Sequence, residues 1–195
     1  MPTDLTPELL LRAYASGIFP MGDKSGDVRW YAPDPRCVFD LDKFDPPKRL
    51  LRTYRQGVFQ IGINTAWKEV LQHCSREGTD EGVWITDKIV EAYTNLNYLG
   101  FAHSIEAYKD GELAGGLYGV CLRGAFFGES MFHIERDASK ICLVFLIERL
   151  KARGYSLLDS QYMTPHLRSL GATSIRREEY LRRLQRAMLL DCSFV

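Results

Sequence analysis

HSIEAYKDGELAGGLYGVCLRGAFFGESMF, residues 103–132, decides the fold class. Two apolar-rich runs, 103–108 and 113–122, flank Lys109-Asp110-Gly111-Glu112. An Asp-Gly pair between such runs is a strong hairpin signal, because the turn needs positive φ at its centre. A short strand at 125–127 extends the hairpin into a meander. Glycines recur through 115–132 among bulky apolar residues. In strands they mark a bulge or the close approach of another backbone or a ligand, and a tightly packed meander accounts for them equally well. Glu129 does not fit that plain reading. A carboxylate in an apolar run must be paired or functional, and receiving a cation is one such job.

Working outward, Asp137 is placed to cap a helix over 138–153 that Gly154 ends. YSLLDSQ (155–161) reads as a buried strand with a polar end. Thr164-Pro165 opens a short helix that stops at Gly171, followed by a strand near 172–176 and a helix near 178–190. Upstream, Thr6 and Pro7 start a helix that Gly17 ends, and APDPRC (32–37) is a proline-pinned turn. A helix begins near Pro46-Pro47, VFQIGI (58–63) alternates like a strand, Asn64 caps a helix through about Arg76, and Thr86 caps one through Leu99. A mostly antiparallel meander followed by strand–helix–strand–helix predicts an α+β fold with a mixed sheet. Residues 1–36 read as a small N-terminal region and 37–195 as the main domain.

The chain balances 25 basic against 25 acidic residues, so a polyanionic partner needs a local basic patch. Lys48, Arg52 and Arg55 supply one, being spaced i, i+4, i+7 on one helix face, although such a face is commonly just solvated. No uncharged apolar run reaches the ~18 residues of a membrane span, and MPTDLTPELL is unlike a signal peptide. The cysteine count is odd, and C-x-x-C is absent. That points to buried thiols in a reducing cytoplasm, not to disulfides or a zinc ribbon. His73, His103, His133 and His166 include no i, i+4 pair, so the sequence offers no helical metal site.

Asp159 and Gln161 lie two apart at a strand end and share a face. An acid beside an amide can orient a nucleophile and relay hydrogen bonds, and ordinary turn chemistry is the other reading. Ser130, Asp159 and His166 follow the chain order of a hydrolase triad, but Phe132 stands where the nucleophile elbow needs glycine. A coenzyme A pyrophosphate calls for a glycine-rich turn before a helix, and HIERDASK (133–140) has none.

Taken together, AYASGIFP (13–20), WYAPDPR (30–36), GFAHSIEAY (100–108), GGLYGV (115–120), FFGESMF (126–132) and HLRSLGA (166–172) resemble the leucyl/phenylalanyl-tRNA–protein transferase family. The resemblance implies transfer of Leu or Phe, also Met, from aminoacyl-tRNA to the N-terminal Arg or Lys of a protein in the N-degron pathway. It also implies a GNAT-like domain behind a small N-terminal one, and no metal or coenzyme. By resemblance, Gln161 meets the attacking amine and is held by Asp159, Thr164 stands near it, and Glu129 and Asp159 meet the cationic acceptor. The amino-acid pocket would be Leu117, Phe126, Met131, Leu143, Leu146 and Leu150. Tyr14, Trp84 and Tyr93 would face the 3′ adenosine, and Lys48, Arg52 and Arg55 the acceptor stem. The chain departs from the family pattern at Met21, Ser160 and Thr164, where Trp, Cys and Asn are usual. Two other functions fit the same scaffold: a non-catalytic binder of basic N-termini or tRNA, and an acyl-coenzyme A N-acyltransferase.

Overall fold

In the computed structural model, which describes residues 5–23, 27–75 and 85–195, the Asp-Gly turn forms as its chemistry requires. Asp110 and Gly111 both take positive φ, 54° and 85°, and pair β5 (Ala102–Lys109) with β6 (Glu112–Leu122). A second two-residue turn at Arg123-Gly124, with Arg123 at φ 55°, returns the chain into β7 (Ala125–His133). That strand is far longer than the expected 125–127. Glu129 hides it from an apolar count, yet the backbone pairs with β6 from Ala125 to His133.

The chain then crosses over through α5 (Ala138–Ala152) into β8 (Leu157–Asp159), which runs parallel to β7. The next strand, β9 (Thr173–Ile175), does not pair with β8. Between them lies β3 (Arg36–Phe39), antiparallel to both. The proline-pinned turn expected over 32–37 stops short of Arg36 and Cys37: all four β3 residues are buried strand, between β8 and β9. With β4 (Gln60–Ile63) on the far edge, the order is β4-β5-β6-β7-β8-β3-β9. A separate hairpin joins β1 (Phe19–Gly22) to β2 (Val28–Tyr31). The α+β mixed sheet is as expected.

Helices cover both faces. On one side α5 and α2 (Lys48–Arg55) pack over Leu117 and Cys121. On the other, α1 (Pro7–Ala15), α3 (Trp67–Ser75), α4 (Asp87–Tyr98) and α7 (Arg177–Ala187) cover Tyr118 and Val120. Alternate residues of β6 thus enter opposite cores, as the two-residue strand period demands. Thr6 and Thr164 cap α1 and α6 (Pro165–Ser169) by accepting from Leu9 and Leu167 N–H. Asn64 and Asp137 do not cap. Both have positive φ, and Asn64 turns to Ser104 N–H while Asp137 takes Arg49 and Lys140. Thr86 makes no cap bond either.

Candidate functional site

The β6–β7 register slips beside Glu129. Tyr118 faces Ser130 and Gly119 faces Gly128, so Glu129 is the unopposed extra residue of a β-bulge. Bulges re-aim side chains, and they occur beside functional sites. Gly119 permits this one: a Cβ there would stand 2.3 Å from the Phe127 carbonyl oxygen. The buried Glu129 carboxylate has three donors within reach. Tyr14 hydroxyl and Gln161 Nε2 donate to Oε1 at 2.7 and 2.9 Å, and Tyr93 hydroxyl lies 3.3 Å from Oε2. The two tyrosine hydroxyls also lie within hydrogen-bond distance of each other, and with one proton each they share three contacts, so Tyr93 donates either to Tyr14 or to Glu129. Burial pushes the Glu129 carboxyl up to about 7, against the opposing pull of its donors. Among the described residues, no Lys or Arg forms an ion pair with it.

Asp159 differs in kind. Fully buried at the end of β8, it receives Arg36 Nε at 2.9 Å on Oδ1 and Nη2 at 2.7 Å on Oδ2. Tyr180 hydroxyl donates to Oδ2 at 2.7 Å, and Gln161 backbone N–H to Oδ1 at 2.8 Å. Asp159 therefore holds Gln161 by its backbone, not by its side-chain amide.

After Phe127 and Asp159 the parallel strands part. Over the gap lies a cavity of about 550 Å³. Glu129 and Gln161 stand at its polar side, and Leu117, Met131, Leu143 and Leu146 on its apolar wall. Thr164 also lines it, although its hydroxyl is committed to the α6 cap, and the Gln161 amide goes to Glu129.

Other expected site residues lie elsewhere. Phe126 and Leu150 are buried outside the cavity wall, with Phe126 packed on Phe194. Tyr14 and Tyr93 are fully buried behind Glu129 and present no open ring face. Trp84 lies outside the described residues. Lys48, Arg52 and Arg55 are exposed on α2, away from the cavity wall. Sequence reasoning missed Arg36 and Tyr180. Arg36 was visible only as the last letter of WYAPDPR, with nothing to say that its charge is buried.

The cavity is thus apolar on one wall and carries a carboxylate and an amide on the other. The family described as leucyl/phenylalanyl-tRNA protein transferase matches residues 38–185, and its N-terminal domain matches residues 3–34. The leucyl/phenylalanyl-tRNA–protein transferase of Salinibacter ruber is 49% identical over 189 residues, covering 96% of this chain and 82% of that one. That of Gloeobacter violaceus is 48% identical over 195 residues, covering 100% of both. Among solved structures, the ribosomal-protein-alanine N-acetyltransferase of Brucella melitensis overlaps at a TM-score of 0.40 and 14% identity, over 57% of this chain and 86% of that one. The chain belongs to the leucyl/phenylalanyl-tRNA–protein transferase family.

Proposed function

We propose that this enzyme moves Leu, Phe or Met from the 3′ end of aminoacyl-tRNA to the N-terminal Arg or Lys of a cytoplasmic protein, marking it for the N-degron pathway. The observation that carries the acceptor assignment is Glu129: a buried carboxylate that, among the described residues, is ion-paired with no Lys or Arg, on the wall of an apolar cavity and bonded to the Gln161 amide. The acceptor's charge completes that site. Asp159 does not compete for it, because Arg36 already matches its charge.

In the reaction, the acceptor's α-amine nitrogen bonds to the ester carbonyl carbon. The bond from that carbon to the ribose oxygen breaks, the amine loses a proton, and the tRNA hydroxyl gains one. The ester is already activated, and an α-amine with pKa near 8 is partly neutral at working pH, so alignment and one proton transfer suffice. Neither metal nor coenzyme is called for. Leu143 and Leu146, one helical turn apart on α5, hold the donor's side chain together with Leu117 and Met131. Tyr14 and Tyr93 serve by holding Glu129 instead of stacking on the adenosine. Lys48, Arg52 and Arg55 meet tRNA phosphates. Residues 1–36 act as a small N-terminal region joined to a GNAT-like domain, 37–195. Among the described residues, no helix is long and apolar enough to cross a membrane.

The test is transfer of radiolabelled Leu and Phe from charged tRNA to peptides beginning with Arg, Lys, Asp or Ala. Label on the Arg and Lys peptides alone is expected. Label on the Asp peptide overturns the role of Glu129, and no label on any peptide overturns the proposed transfer.

A further inference from the structure

Arg36 is a buried guanidinium with all its donor nitrogens engaged. Nε and Nη2 grip both oxygens of Asp159, and Nη1 donates to the Gly17 carbonyl at 3.0 Å. The Phe19 and Tyr180 rings flank it at 4.7 and 4.5 Å. Its ends therefore lie in the β1 entry, in α7 and in β8.

The Asp159 carboxylate in turn fixes Gln161, which sits at φ 60°, a left-handed conformation that costs a non-glycine residue about 1–2 kcal/mol. Such conformations persist only where the surroundings over-determine them, and they cluster at functional sites. Here Asp159 Oδ1 accepts from Gln161 N–H at 2.8 Å, and Cys37 N–H donates to the Gln161 carbonyl at 3.0 Å. Both restraints come from the Arg36–Asp159 corner, where β3 meets β8. The result is a side-chain amide pointed at Glu129 Oε1.

We propose that Arg36 is a positioning residue for the transfer step, holding Gln161 in the turn that aims its amide at Glu129. This rests on the transfer reaction proposed above. Stability alone is a weak reason for the pair. Burying a guanidinium and a carboxylate commonly gains nothing over apolar residues of similar size. What the ion pair adds is geometry: a planar fork sets the carboxylate plane, and the carboxylate sets the next turn.

The experiment compares the wild type with Arg36→Lys and with the double variant Arg36→Met, Asp159→Leu. Lysine keeps the charge but not the fork. The double variant removes the pair without stranding a buried charge. For Arg36→Lys, kcat should fall on the order of tenfold to a hundredfold, with KM for aminoacyl-tRNA within about twofold. The acid limb of its pH–rate profile should move to higher pH, because Glu129 loses the amide that favours its charged form. The groups that face Glu129 are Tyr14 on α1, Tyr93 on α4, Tyr118 on β6, Asp159 on β8 and Arg36 itself. The double variant should stay folded, by melting temperature, and remain slow. Wild-type kcat in the double variant overturns the proposal, as does an unmoved acid limb in Arg36→Lys. Absence of transfer by the wild type overturns instead the reaction on which the proposal rests.

Discussion

Tyr14 donates its hydroxyl to Glu129 Oε1 at 2.7 Å across a sequence separation of 115 residues. The bond ties the first helix to the β7 bulge, so the N-terminal segment takes part in building the site. Tyr14→Phe removes the donor and keeps the ring. Glu129 should then titrate higher still, and kcat/KM at pH 7 should fall about tenfold. The loss should shrink at pH 9, where the carboxylate is charged in both proteins. A pH–rate comparison checks this, and a loss of equal size at every pH would contradict it.

Glu129 also makes stability depend on pH. Its carboxyl titrates at about 7 in the folded chain against an ordinary 4.5, so the folded state binds its proton more tightly. Stability then declines as pH rises from about 4.5 to about 7, by on the order of 3 kcal/mol from this group. Glu129→Gln removes that contribution. Denaturant unfolding at pH 5 and pH 8 should show a smaller decline in the variant than in the wild type. Equal declines would mean that Glu129 titrates normally.

The cavity wall separates two leucines of the same helix. Leu146 lines the cavity, and Leu150 is buried beside it without reaching it. Truncation of either to Ala should cost about 2–5 kcal/mol. Only Leu146→Ala should change the ratio of Phe to Leu transferred, toward the larger side chain. Competition between the two charged tRNAs measures it, and an equal change in Leu150→Ala would redraw the pocket.

Arg52→Ala with Arg55→Ala tests the basic face of α2. Both side chains are exposed, so the fold should be unaffected. tRNA binding should weaken, more at 50 mM than at 300 mM salt, because screening already removes part of the attraction at high salt. A loss independent of salt would argue against phosphate contact.

Gly17 and Gly57 both have positive φ, at 76° and 65°, yet Ala should behave differently at each. At Gly57 nothing lies within 4 Å of the added Cβ, so only backbone strain of about 1 kcal/mol is expected. At Gly17 the Cβ would stand 2.9 Å from the Tyr180 ring and 3.1 Å from Leu181. That variant should lose more stability, and also activity, since the Gly17 carbonyl holds Arg36. Thermal melts of the two proteins give the comparison.

Local rules were legible in the chain itself. The Asp110-Gly111 turn follows from positive φ, and the caps at Thr6 and Thr164 follow from a hydroxyl placed before a proline-led helix. Where a local rule met a stronger distant partner, it failed. Asp137 had cap chemistry but is claimed by Arg49 from α2, and Asn64 by Ser104 from β5. β7 was under-read because Glu129 interrupts the apolar pattern that defines a strand.

The α+β class and the candidate residues Glu129, Asp159 and Gln161 were legible in the sequence from spacing and residue type along one dimension, and the family from the resemblance of its motifs. Tertiary structure alone decided which of the two carboxylates Arg36 pairs with. Arg36 lies 123 residues from Asp159, and only the insertion of β3 between β8 and β9 brings them together. A charge's partner depends on strand order, and strand order depends on which surfaces bury one another. It was likewise packing, not the periodicity of α5, that put Leu146 on the cavity wall and Leu150 behind it.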